Sequence, residues 1–409
     1  MTVMDGGAFL WTCNLSKGEY FSIIAEKYVA KCKELNVTVV VFDGYEECTN
    51  GEARSRRGKS LCGSVEVNDG IKCVTDRAVF LNNYVNKEKF IGFLSTKLTK
   101  SGVRVVQTPG DADTTIIREA LHPQGCDKDR VQVMADDTDI LCLLLHHYQL
   151  LDSPREVFIR NVTKKCISRT SGASGEENHR SSLNTRVDHC IQDILNEAEE
   201  VTKELILFAH AFFGCDTVSA IFNLGKVSIQ QKLKKSESLR SLAKVFYNNE
   251  SSQETIGNAS IALFEGIYSD NKAKDRINLS KIRHNIYEGM VASSRTSIDP
   301  SCLPPTPRAA YFHGLRTYHQ MKVWIHLSVR DMEPTKWGWE RKDGKLCPIM
   351  TDKNPAPESL LNIIRCSRKK QCSARCSCRK AGLKCASTCR ECRGISCCNG
   401  SPGNDDIDE

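Results

Sequence analysis

Five short apolar runs rich in β-branched residues, most of them separated by helical patterns, constrain what this chain can fold into. They are residues 2–4, 37–42 (VTVVVF), 103–107, 131–135 (VQVMA) and 157–160. Strands buried on both faces read as continuous apolar runs rather than alternating ones. Helical spacing covers residues 20–35, 87–100 and 114–121. Strands alternating with helices predict an α/β fold with a parallel, twisted sheet flanked by helices. Residues 165–186 are rich in Ser, Gly and Asn and read as a surface loop or insertion. Residues 193–214 read as one helix ending in an apolar run. After about residue 284 the α/β pattern fades. A Pro-rich connector at 303–307 leads to an expected amphipathic helix at 309–329, carrying Tyr311, Leu315, Tyr318 and Val323. Residues 335–351, with Trp337 and Trp339, suggest a small hairpin. The expected domains are 1–284 with an insertion at about 165–190, a helical and hairpin connector at 285–365, a Cys-rich module at 366–399 and an acidic tail at 400–409.

Composition removes several classes. The 409 residues are 40% hydrophobic and 26% charged, ordinary for a folded soluble chain. No run of about 18 apolar residues occurs, so no membrane-spanning helix is expected. The first residues lack the basic and apolar regions of a secretory signal. The net charge of +7 is a weak hint of a polyanionic partner. Its distribution says more: nine Lys and Arg face one acid, Glu391, between Cys366 and Cys398. Without an export signal the nucleus is the expected compartment, with the cytoplasm as the alternative, and there thiols stay reduced.

Acidic residues recur where the predicted strands end. Asp5 follows the first and Asp43 the second; Asp111 and Asp113 follow the third, Asp137 and Asp139 the fourth. Asp216 comes after the apolar helix. Open α/β sheets bind ligands beyond the carboxyl ends of their strands. Strand alternation is expected to place Asp137 and Asp139 on one side and Asp136 on the other. Seven carboxylates there would raise one another's pKa unless cations compensate. Oxygen ligands without His or Cys favour Mg²⁺ or Mn²⁺, and two such ions support phosphodiester hydrolysis. A single Asp after a strand is more often a helix cap or turn residue; the recurrence is what points to a site. Adjacent His146 and His147 cannot face one ion from a regular element and read as structural.

Nine cysteines crowd the C-terminal region: Cys366, Cys372, Cys376, Cys378, Cys385, Cys389, Cys392, Cys397 and Cys398. Closely spaced thiolates wrap tetrahedral zinc. Three separate four-ligand sites would need twelve thiolates, so nine suffice only if three of them bridge. Three structural zinc ions are the expectation. Lys369, Lys370, Arg379, Lys380 and Lys384 are candidate phosphate contacts. A structural or protein-binding knob with solubilising charges is the competing reading.

The ordered motifs resemble flap-endonuclease/XPG-type nucleases of the PIN-like superfamily. Met4-Asp5-Gly6-Gly7 is similar to the segment with the first catalytic aspartate, and Val41-Phe42-Asp43-Gly44 to the family's VFDG motif. Asp111-Ala112-Asp113 stands where Glu-Ala-Glu is usual. Asp136-Asp137-Thr138-Asp139 resembles Glu-Asp-x-Asp, and Gly214-Cys215-Asp216 resembles Gly-x-Asp-Tyr with Thr217 in place of Tyr. The resemblance covers about residues 1–230. It implies catalytic and metal-binding roles for Asp5, Asp43, Asp111, Asp113, Asp137, Asp139 and Asp216. It also puts Arg54, Arg56, Arg57 and Lys59 in a gateway segment where they contact phosphates or form a solvated loop. Three departures stand out: Thr217, an Asp5 only four residues from the start, which makes the first strand short, and Ile221 to Lys226, which keeps one of two hairpin glycines and puts duplex binding in doubt. Cys376-Ser377-Cys378 through Cys385 resembles the tesmin-type CXC domain, a zinc module that binds DNA, although Arg368 replaces its opening second cysteine. Both together resemble a group of transposon-associated proteins. The resemblance implies a metal-dependent nuclease acting on nucleic acid, DNA first, without a membrane partner. The competing class is a non-catalytic nucleic-acid or chromatin binder that keeps the PIN-like fold.

Overall fold

Val3 and Met4 set the plan of the sheet: Val3 enters the core on one face and Met4 the core on the other. They lie on β1 (Thr2–Asp5), which runs straight into a short helix, α1 (Gly6–Phe9). In this computed structural model the described residues are 1–44, 63–122, 130–152, 155–162, 188–221, 224–269, 278–293, 302–327 and 332–353; in the Cys-rich region they are 366, 376–380, 384–385, 392, 397 and 399.

The chain continues through α2 (Phe21–Glu34), β2 (Val39–Phe42), α3 (Arg77–Leu81), α4 (Tyr84–Lys100) and β3 (Arg104–Gln107). Then come α5 (Asp113–Leu121), β4 (Arg130–Met134), α6 (Thr138–Tyr148), β5 (Glu156–Arg160) and β6 (His189–Cys190). The sheet order is β3-β2-β1-β4-β5-β6. All neighbours pair in parallel except β5 with β6, an antiparallel edge that sequence periodicity did not indicate. This is the expected α/β class. Helix α2 shows why helices cover the sheet: its buried Phe21, Ile24, Ala25, Tyr28 and Cys32 recur at helical spacing on one side.

A helical half follows: α7 (Ile191–Glu197), α8 (Glu200–Phe212), α9 (Lys226–Lys235), α10 (Glu237–Lys244), α11 (Gln253–Tyr268), α12 (Leu279–Ser293) and α13 (Pro307–His326). The single helix expected over 193–214 is two helices. Ala198 and Glu199 are extended, because α7 packs on β5 while α8 turns to pack on α6 and α13.

Helix α13 is not amphipathic. It is buried on nearly every side, packed against α11 and α8. Its polar groups find partners: His313 Nε2 meets the Phe212 carbonyl at 2.8 Å, and Lys322 Nζ donates to Asn249 Oδ1 at 2.7 Å. Buried polar groups satisfied in this way cost little. The hairpin is β7 (Trp339–Lys342) with β8 (Lys345–Pro348).

The chain divides into two compact units, Met1–Met350 and Thr351–Glu409. Residues 285–350 therefore contribute to the first unit.

Candidate carboxylate site and cysteine centre

From β1 the chain winds to β2 and β3 on one side, then returns to build β4 and β5 on the other. The order reverses between β1 and β4, and beyond the strand ends at such a reversal a crevice forms. Asp5 ends β1 and Asp137 follows β4, so these two carboxylates flank that point.

Backbone N–H groups hold one oxygen of several aspartates. Asp5 Oδ1 accepts from Gly7 at 2.8 Å, and Asp137 Oδ1, at the N-cap of α6, accepts from Asp139 at 3.0 Å. Asp43 Oδ1 accepts from Ala112 at 3.1 Å, tying the end of β2 to the Asp111–Asp113 turn. Gly44 permits that approach. A Cβ there would lie 1.9 Å from the Thr108 carbonyl oxygen, and the Gly44 N–H donates to Gly110 at 2.8 Å. Gly214, at φ +111° and against Ala220, turns the chain out of α8 toward Asp216.

The strand-alternation account of Asp137 and Asp139 is corrected. β4 ends at Met134, and both residues belong to the start of α6 as cap and first turn. Asp136 turns away to accept from the Val162 N–H at 2.8 Å.

Electrostatics links all seven aspartates. Burial, then Asp43 and to a smaller degree Asp137, pushes the Asp5 carboxyl up to about 7, against the opposing N–H groups of Gly7 and Ala8. Asp113 is raised well above the ordinary value by burial and then by Asp111, Asp139, Asp137 and Asp43. Asp137 is raised by burial, Asp139 and Asp216, with His210 opposing. Among the described residues no three carboxylates bring oxygens within 4.8 Å of one another; the groups that do are cysteines. The aspartates form an open, crowded field rather than a tight cage. A groove of about 470 Å³ beside them, lined by Thr108, Pro109, Arg118 and His122 among others, includes none of the seven.

Sequence reasoning missed His210 and gave Lys226 no role of its own. His210, on the last turn of α8, places Nε2 2.6 Å from Asp139 Oδ1, and Lys226 Nζ lies 2.9 Å from His210 Nδ1. Lys226, in the segment compared with a duplex-binding hairpin, thus brings its ammonium to His210. The sequence signals were the position of His210 one helical turn before Gly214 and the resemblance of His210 to Thr217 to the transposon-associated group, neither of which points to Asp139. His147 is held by the Trp324 carbonyl at 2.9 Å, and burial lowers His146 to about 4. Arg54, Arg56, Arg57 and Lys59 lie outside the described residues.

In the second unit Cys366, Cys376, Cys378 and Cys385 bring their sulfurs within 4.8 Å of one another, and Cys385, Cys392 and Cys397 form a second such group. Sulfur separations of 3.9 Å (Cys366–Cys385), 3.8 Å (Cys366–Cys392) and 3.7 Å (Cys376–Cys385) exclude disulfides between these pairs. A tetrahedron with Zn–S bonds of about 2.3 Å has edges of about 3.8 Å, so the spacing fits zinc. Cys385 belongs to both groups, as a bridging thiolate would. Arg379, Lys380 and Lys384 are exposed on this unit. Cys372, Cys389, Cys398, Lys369 and Lys370 lie outside the described residues.

No protein-family model matches the chain, and no curated protein matches it. Among solved structures it is similar to the bacteriophage T5 D15 protein co-crystallized with metal ions: 13% identity, TM-score 0.37, covering 80% of this chain and 98% of that one. It is also similar to a pseudo-enzyme–product complex of the T5 D15 flap endonuclease with DNA and metal ions: 14% identity, TM-score 0.36, covering 80% and 95%. Likeness at this level leaves the site to be read from its own geometry.

Proposed function

We propose that the first unit is a PIN-like, Mg²⁺- or Mn²⁺-dependent nuclease and that the second is a zinc-held CXC module that tethers it to nucleic acid, DNA first, in the nucleus. One observation carries the reading: seven aspartates from separate elements share one electrostatic field at the point where the strand order reverses. The donors are hard oxygens, several with raised carboxyl pKa, and such crowding favours divalent cations. Asp5, Asp43, Asp113 and Asp137, with Asp111, Asp139 and Asp216 around them, are the residues that would hold the ions. Bound ions of this kind supply positive charge that lets the carboxylates ionise together and that polarises a phosphodiester. The protein's own part is to fix those oxygens: backbone N–H groups hold Asp5, Asp43 and Asp137, and Gly44 keeps the β2 end against the Asp111–Asp113 turn.

The test is cleavage of labelled flap, single-stranded and duplex substrates by the full chain, with Mn²⁺ or with chelator. Cleavage should require Mn²⁺ and fall by about 100-fold or more in Asp137→Asn, whose circular dichroism stays unchanged. Cleavage that persists in chelator, or equal rates in the variant, would sink the assignment. Wild-type protein that binds nucleic acid and Mn²⁺ yet cuts nothing is the result expected of the non-catalytic binder.

A further inference from the structure

We propose that His210 and Lys226 form a positioning pair that holds the Asp139 carboxylate in its working orientation. This rests on the carboxylate-site reading above. The geometry is a relay of three side chains from three helices: Asp139 on the first turn of α6, His210 on the last turn of α8 and Lys226 at the start of α9. The Lys226 ammonium can only donate, so His210 Nδ1 accepts at 2.9 Å. The proton then sits on Nε2, which donates to Asp139 Oδ1 at 2.6 Å. The imidazole is clamped. It is buried and stacks on the Trp324 ring at 5.7 Å with an interplanar angle of 27°. One carboxylate oxygen is thereby fixed, and the other is turned to a defined direction.

A purely structural ion pair explains the arrangement poorly. A cation at a helix N-terminus opposes the helix dipole, and Lys226 is the first residue of α9. Asp216 follows α8 and Lys226 opens α9, the next helix in the chain. Partners that orient a metal-binding side chain typically contribute about 10- to 100-fold in metal affinity.

Mn²⁺ binding to the full chain without nucleic acid, followed by electron paramagnetic resonance, tests this in four variants. His210→Leu should weaken Mn²⁺ binding about tenfold or more. His210→Gln, whose amide can donate where Nε2 did, should recover to within about threefold of wild type, a rescue that volume alone does not predict. Lys226→Met should weaken binding in the wild type and add nothing in the His210→Leu background, because it acts through the ring. Wild-type affinity in His210→Leu, an equally weak Gln variant, or an undiminished Lys226→Met effect without His210 each overturns the pair. Asp137→Asn serves as the reference. If it weakens Mn²⁺ binding while His210→Leu does not, the pair alone fails; if neither weakens it, the carboxylate-site reading fails and takes the pair with it. Should His210→Leu not fold, the Gln variant and Lys226→Met decide by the same readout: wild-type affinity in Lys226→Met overturns the proposal.

Discussion

Asp5 shows how a single residue joins stability to chemistry. Its carboxyl is pushed up to about 7 by burial and by Asp43. The folded chain therefore binds this proton more tightly than the unfolded chain does. The stabilisation is fully present below about pH 4 and is lost as pH rises toward and through 7. At about 1.4 kcal/mol per pKa unit, the loss for a largely buried group is on the order of 3 kcal/mol. In chelator, the thermal midpoint should fall between pH 5 and 7.5. Mn²⁺ at pH 7.5 should restore it, because the cation replaces the proton as the compensating charge. Asp5→Asn should flatten the fall in chelator. A pH-independent midpoint in the wild type, or the same fall in Asp5→Asn, would show that the crowding at Asp5 does not govern stability.

At the scale of elements, the site depends on close approaches of the backbone near strand ends. Gly44 makes one of them, where the β2 end lies on the backbone of residues 108–110. Gly44→Ala places a methyl 1.9 Å from a backbone oxygen, so the turn must shift and Asp43 moves with it. A destabilisation of roughly 2–3 kcal/mol in urea unfolding is expected, together with weaker Mn²⁺ binding. Unchanged binding would mean that the position of Asp43 does not matter. By contrast Phe208→Ala, buried on α8 against Phe212 and Phe246, should cost roughly 3–5 kcal/mol while leaving Mn²⁺ affinity intact in the folded fraction. These elements differ in how well the sequence shows them. Strands β1 and β2 are legible because parallel strands buried on both faces read as unbroken apolar runs, and β4 and β5, although their burial alternates, still carry short runs rich in Val and Ile. The aspartates at or shortly beyond the ends of β1, β2 and β4 are legible because each lies within a few residues of such a run. His210 is not, since one His among apolar neighbours on α8 carries no sign of the Asp139 it meets 71 residues away. Helix α13 is misread for a related reason. Periodicity assumes that polar residues face water, whereas His313, Arg316 and Lys322 are buried with carbonyl partners. The two-residue β6 is too short to leave a pattern.

At the scale of the whole molecule, each unit is held in its own way: the first by two apolar cores on the faces of a sheet, the second by thiols. Residues 366–398 contain only Leu383 and Ile395 as large aliphatics, so structural zinc bound there would supply the folding free energy, about 10 kcal/mol or more per ion. Chelation should therefore unfold the second unit, whereas the first keeps a cooperative thermal transition at its metal-free midpoint. Protein made under reducing conditions should carry more than one zinc by elemental analysis, and three if nine thiolates serve three ions with three bridges. Cys385 sits in both sulfur groups and Cys397 in one. Cys385→Ser should thus release more zinc than Cys397→Ser, and equal losses would argue against a shared thiolate. With the cluster intact, Arg379, Lys380 and Lys384 present an exposed positive face. Each lysine or arginine that neutralises a phosphate of duplex DNA contributes about 0.9 to the slope of log affinity against log salt. Changing all three to Gln should lower that slope by up to about 3 without altering zinc content. A full-chain triple variant with normal zinc and an unchanged slope would mean that the second unit does not touch DNA through this face, and its role would shift to a structural or protein-binding one.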